Sequence, residues 1–421
     1  MINLPHEQCY GCTGCMNICP KDAITMVEDQ CGYRYPHIDP DKCINCDLCE
    51  KVCPELNSYE LNKPLEILAA QTKDNQVFRT TASGGVCYTL AREIITRGGV
   101  VYGCSEKNFQ TIRHIRVDKL EDLSLIKNSK YVHSDINHTY REARKDLNAG
   151  RLVLFTGTPC QISGLRMFLR KPYDNLFTID FVCHGVPPMK MLREQVLSYP
   201  EIKGLPLEDI HVDFRWKIYD RSGRPSGVRY GLRTSCATRS GAALKPLREE
   251  NDIVNAYMRC FLTGISLREN CLRCPYTQEE RISDITAADF WGLGSEAIPS
   301  DLDASKGVSM VLVNTPKGRE LFNSVKHEFE LRPQTFDDAK MFNRCLYAPF
   351  KRLPQRDLFL KIYKENSLFA AAAATDRLHR FETSKAVRLL RSNRVTNNVI
   401  SLCIRCAVTT RNIIRHMKPV R

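Results

Sequence analysis

The chain of 421 residues exceeds the usual single-domain size and can bury a substantial core. Its 43% hydrophobic and 26% charged residues are ordinary for a globular protein, and no run of eighteen apolar residues offers a membrane-spanning helix. The formal charge of +13 is uneven: from Asp376 onward eleven Lys/Arg oppose two acidic residues, a net +9 that leaves +4 for the first 375 residues.

Residues 1–57 form a cysteine-dense head. The chain holds twenty cysteines, and its opening "MINLPHEQCYG" lacks the basic-then-apolar pattern of a secretory signal. A cytoplasmic, reducing setting is therefore expected, where clustered thiols bind metal or do redox chemistry. "CYGCTGCMNICP" from Cys9 and "CINCDLCEKVCP" from Cys43 both read C-x-x-C-x-x-C-x-x-x-C-P. Thiolates at this spacing let a tight loop wrap one cubane, with backbone N–H groups turned toward the sulfides. In two-cluster ferredoxins the fourth cysteine serves the other cluster. Cys9, Cys12, Cys15 and Cys53 are thus expected on one 4Fe–4S cluster, and Cys43, Cys46, Cys49 and Cys19 on the other. Zinc prefers two C-x-x-C pairs separated by a longer loop, a poor match to this repeat. "AITM" and "YRYPHID" read as short strands covering the clusters.

"LNSYELNKPLE" reads as a polar linker, after which short apolar runs and amphipathic stretches alternate. "GGVCYTLAREIITRGG" reads as a helix, "GVVYGCSE" and "TIRHIRVD" as strands, "TYREARKDLNAG" as a helix and "RLVLFTG" as a buried strand. "CQISGLRMFLR" is helical, "LFTIDFVCHG" a strand and "PMKMLREQVLSY" helical. "IHVDFRWKIYD" and "VRYGLRTS" flank a turn and suggest a hairpin; "ISDITAADFWG" and "VSMVLVNT" are strands before helical "PKGRELFNSVKHEFE". The expected fold is an α+β ferredoxin-like two-cluster head followed by an α/β body with a mixed sheet. The units are expected at 1–57, 65–350 and a helical, basic tail at 351–421.

Six motifs of the body, "TTASGGV", "NSKYVHS", "LFTGTPCQISGL", "DFVCHGVP", "CLRCPY" and "SDITAADFWG", resemble the coenzyme F420 hydrogenase/dehydrogenase beta-subunit family. The resemblance implies FAD, iron–sulfur centres and electron exchange with a deazaflavin; bacterial relatives also suggest an acceptor in surface-polysaccharide assembly. Helix N-termini after small-residue turns are anion sites, which suits a flavin pyrophosphate. Ser83, Gly84, Gly85, Thr156, Gly157, Thr158 and Pro159 are the flavin-loop candidates, with Lys130 and Tyr131 beside the ring and Asp289 on a polar ring group. Trp291 is a candidate ring cover, and ordinary packing is the alternative for both it and Asp289. His184 is a candidate flavin-side or proton-relay group, and with Lys130 completes the catalytic candidates.

Cys160, Cys183, Cys271 and Cys274 match cysteine-bearing motifs of the family and are candidate ligands of a third 4Fe–4S cluster. Buried apolar packing for the first pair, a free pair for the second, or zinc, are the alternatives. Cys87 and Cys104 read as core residues. The expected function is an iron–sulfur flavoprotein oxidoreductase between a ferredoxin or other acidic redox protein and an organic two-electron acceptor. The alternative is an electron-transfer subunit without its own substrate site. The basic tail suits anionic lipid or an acidic partner and shows no nucleic-acid motif; Cys403 and Cys406 are not counted as ligands.

Overall fold

Strands buried on both faces form the spine of the body, as apolar runs such as "RLVLFTG" and "VSMVLVNT" require. The computed structural model describes residues 2, 4–57, 59–222, 225–238, 244–304 and 307–383. Cys403, Cys406 and most of the basic tail lie outside the described residues. Met1–Leu353 forms one unit. Pro354–Arg421 is a second, in which the helices Arg356–Glu365 and Leu368–Thr383 are described.

In the head, β1 (Ile24–Glu28) and β2 (Arg34–Ile38) pair antiparallel beside the short helices Gly14–Ile18 and Leu48–Lys51. The body strands are β3 (Glu66–Thr72), β4 (Val100–Asn108), β5 (Thr111–Val117), β6 (Val153–Gly157) and β7 (Leu176–Phe181), then β8 (Ile210–Tyr219), β9 (Pro225–Ala237) and β10 (Leu244–Asn251), and finally β11 (Ile285–Asp289), β12 (Ser309–Val313) and β13 (Phe329–Pro333). Eight of them make a mixed sheet in the order β13-β3-β12-β11-β7-β6-β4-β5. β4, β6, β7 and β11 run parallel and the remaining neighbours antiparallel. The carboxyl ends of those four strands therefore share one edge.

Alternation along the strands supplies both faces of the sheet. Val101, Leu154, Ile179 and Ile285 pack with the helices Val86–Thr96 and Pro316–Val325. Val100, Tyr102, Val153 and Phe155 pack with the helices Thr139–Asn148 and Pro159–Leu169. The head joins this second core through Tyr10 and Cys12.

β8, β9 and β10 form a separate antiparallel sheet; the hairpin is as expected and β10, charged and containing Pro246, is an added third strand. The end of "PKGRELFNSVKHEFE" contributes to β13 instead of continuing the helix, because Phe329 pairs with Thr72 on β3. A register shift in β8 between Asp213 and Arg215 changes which positions face inward. Ile210 and Val212 are buried before it, Phe214 within it, and Arg215 and Lys217 after it.

Candidate functional site

The two cysteine loops of the head share one backbone design. Gly11 and Thr13 in the first have φ of 69° and 62°; Asn45 and Asp47, at equivalent repeat positions, have 52° and 56°. These left-handed residues curl each loop around its sulfurs, and the Gly11 N–H donates to Cys9 Sγ at 3.4 Å. Cys19, Cys43, Cys46 and Cys49 line a shallow, solvent-open hollow, with Ile24, Ile38 and Ile44 around them. Cys46 is exposed. The other quartet lies deeper: Cys12, Cys15 and Cys53 are buried. Burial and the neighbouring sulfurs push the Cys12 and Cys15 thiols well up, with Cys9 and Cys53 among those neighbours. Thiols raised in this way lose their protons where a cation compensates the thiolates. Cys15 also feels Cys49, so the quartets adjoin.

A third quartet assembles in the body. Cys160 lies in the first turn of Pro159–Leu169, after β6, and Cys183 follows β7, so both stand at the carboxyl edge. The turn Glu269–Arg273 carries Cys271, and Cys274 follows it. Cys183 feels Cys271, Cys160 and Cys274, and burial raises its thiol strongly. Cys160 is pushed up to about 11, again chiefly by burial. Gly185, at φ 111°, lets the chain pass: a Cβ there would lie 2.7 Å from Leu267 and 3.2 Å from Cys271 Cβ. No group of three or more His, Cys, Asp or Glu converges at single-ion spacing among the described residues.

The inner head quartet and the body quartet flank one helix. Gly164 of Pro159–Leu169 lies against Cys12, where an added Cβ would stand 2.9 Å from Cys12 Cβ and Sγ. Tyr10, Tyr59 and Tyr276 fill the adjoining space, with the first two ring centroids 5.8 Å and 5.4 Å from that of Tyr276. Tyr140, whose hydroxyl donates to the Gln161 carbonyl at 2.6 Å, feels both Cys12 and Cys160.

The flavin-loop candidates divide into two groups. Thr156, Gly157, Thr158 and Pro159 are engaged internally. His114 Nε2 bonds the Thr156 carbonyl at 2.8 Å, and the Thr158 N–H donates to Gln161 Oε1 at 3.0 Å in a capping box. Tyr131 and Asp289 instead meet around Arg215, which the bulge in β8 turns inward, and Ser83 follows Ala82 beside it. Arg215 holds Asp289 in a bidentate pair at 2.5 and 2.9 Å and donates to the Ala82 carbonyl at 3.0 Å. Among the described residues, the Ser83 hydroxyl and Arg215 Nε are buried without hydrogen-bond partners. Gly84 serves close packing: a Cβ would lie 2.2 Å from the Ala70 carbonyl oxygen. Gly85, at φ 87°, caps Val86–Thr96.

Lys130 donates to the Cys104 carbonyl at 2.8 Å and to the Lys127 carbonyl, and burial lowers its pKa. His184 bonds the Phe261 carbonyl at 3.0 Å and packs on Phe261 and Phe350; burial holds it at about 4, hence neutral near pH 7. Sequence reasoning missed Arg215 and Lys217. Lys217 donates to the Phe78 and Ser83 carbonyls, and burial with Arg215 nearby holds it at about 7. Three charges at alternate positions in "VDFRWKI" were the available signal.

A 4Fe–4S dicluster domain matches residues 8–56, and the family model for the C terminus of the coenzyme F420 hydrogenase/dehydrogenase beta subunit matches residues 150–338. A ferredoxin of Methanocaldococcus jannaschii is 36% identical over 53 residues, 13% of this chain and 68% of that protein. A component of the Na(+)-translocating ferredoxin:NAD(+) oxidoreductase complex of Acetobacterium woodii is 43% identical over 49 residues, 11% of this chain and 14% of that component. The chain spans less than two thirds of the first curated relatives it matches. A chain of the F420-reducing nickel–iron hydrogenase complex from Methanosarcina barkeri aligns with TM-score 0.38 and 16% identity, over 75% of this chain and 93% of that one. No helix among the described residues is long and apolar enough to cross a membrane. The chain thus joins an iron–sulfur dicluster segment at residues 8–56 to a body that, over residues 150–338, matches the C-terminal part of the coenzyme F420 hydrogenase/dehydrogenase beta-subunit family.

Proposed function

We propose that this chain is an iron–sulfur, flavin-dependent oxidoreductase that passes electrons between a ferredoxin-like partner and an organic two-electron acceptor. The observation that carries the reading is the serial order of three cysteine quartets, from exposed Cys46, through buried Cys12 and Cys15, to Cys160 and Cys183 at the sheet edge. Cys19, Cys43, Cys46 and Cys49 hold one 4Fe–4S cluster, Cys9, Cys12, Cys15 and Cys53 the second, and Cys160, Cys183, Cys271 and Cys274 the third. When bound, clusters supply one-electron steps and FAD joins them into two-electron chemistry.

The protein's part is placement. Gly164 permits close approach of the Cys12 loop to the helix bearing Cys160, and the tyrosines between them exclude water. Arg215, Ser83 and Tyr131 supply the polar surroundings for a flavin, supported by the unpartnered Ser83 hydroxyl and Arg215 Nε. Asp289 orients Arg215. The exposed Ile44 beside Cys46 suits contact with a redox protein.

Anaerobic preparation with iron, sulfide and flavin quantitation tests this. About twelve irons and a bound flavin are expected, whereas about eight irons without nucleotide would remove the flavin and third cluster from the reading. A second reading, a transfer subunit without its own substrate site, is favoured by the internal engagement of Thr156–Pro159. Dye-coupled turnover of a small-molecule acceptor by the purified protein alone would exclude it.

A further inference from the structure

Arg268 is 1% exposed and joins the two deeper quartets. Its backbone belongs to the body: the N–H donates to the Val186 carbonyl at 2.9 Å, and its carbonyl accepts from the Cys271 N–H at 2.9 Å. Its side chain belongs to the head. Nε donates to the Cys9 carbonyl at 2.7 Å, Nη1 to the Arg34 carbonyl at 2.9 Å, and the guanidinium carbon lies 4.3 Å from the Tyr35 ring centroid. Gly11 comes so near that a Cβ there would stand 3.1 Å from the guanidinium carbon.

Arg268 Nη2 is buried without a partner, and no carboxylate pairs with Arg268 among the described residues. The neighbouring cation Arg34 is already paired with Asp135 at 2.7 Å. A buried guanidinium with no counter-charge is strongly disfavoured. The groups left to neutralise it are the cysteine quartets, which become anionic once they ligate metal. The Arg268 carbonyl takes the Cys271 N–H, so the residue adjoins the body quartet as well as the head.

We propose that Arg268 is the counter-charge of the inner head and body clusters, raising their reduction potentials relative to the outer cluster at Cys19, Cys43, Cys46 and Cys49. A fixed cation stabilises the added electron in its nearest clusters, so electrons entering at the surface run downhill inward. Arg268 is a positioning and tuning residue, and its role rests on the three-cluster reading above.

The test is anaerobic potentiometry of the whole protein, monitored by electron paramagnetic resonance, for wild type, R268Q and R268K. The inner head and body midpoints are expected to fall in R268Q and to fall less in R268K, while the outer midpoint stays. Full iron content with unchanged midpoints in R268Q, or an equal shift of all three clusters, would overturn the proposal. Should R268Q lose its iron, R268K decides: a selective fall supports the role and unchanged midpoints refute it. Wild-type iron of about eight per chain would remove the body cluster, and the inner head midpoint alone then decides.

Discussion

Gly164→Ala isolates the junction between the inner head quartet and the body helix. Alanine in the middle of Pro159–Leu169 should by itself stabilise the helix by about 1 kcal/mol. At this position the new methyl would lie 2.9 Å from Cys12 Cβ and Sγ and 3.1 Å from the Tyr140 hydroxyl oxygen, so neighbours must move. Forcing a methyl into a packed site costs roughly 1–3 kcal/mol, and a Cys12 held by the proposed cluster would place the cost toward the upper end. The expected net is a loss of about 1–2 kcal/mol. Anaerobic urea unfolding should show a lower midpoint with an unchanged slope. Chelator-treated protein should lose less, because a free Cys12 can rotate. A G164A protein as stable as wild type, with its iron intact, would refute the close seating of the head on this helix.

Cys271→Ala should remove about four irons per chain while leaving the spectra of the two head clusters unchanged, as iron analysis and electron paramagnetic resonance will show. Asp289→Asn leaves Arg215 buried without its bidentate partner and should cost about 3 kcal/mol in denaturant unfolding, whether or not flavin is present. Lys217 is held at about 7, below its ordinary range, so the unfolded chain binds the extra proton between roughly pH 7 and 10. Its penalty is full below that window and fades as pH rises; Lys217→Met should flatten the resulting rise in stability, measured by unfolding at several pH values.

The head was legible because ligand spacing is a local property. The same repeat that places the cysteines also fixes the left-handed turns at Gly11 and Asn45. The parallel strands were legible for a related reason: strands buried on both faces read as continuous apolar runs. Arg215 and Lys217 escaped because a register shift in β8 reverses which alternate positions face inward, and alternation alone cannot reveal it. Lys130 was expected beside a flavin ring, but it is buried and the carbonyls of Cys104 and Lys127 hold its ammonium. Arg268 carried no local signal, since its partner Cys9 lies 259 residues away in sequence.

The exposure of Cys46 has a price in air. Molecular oxygen meets the outermost thiolates before any others, and oxidised thiols no longer grip iron. Damage should therefore begin at the doorway, stranding the deeper centres with their charge and no route for it to arrive.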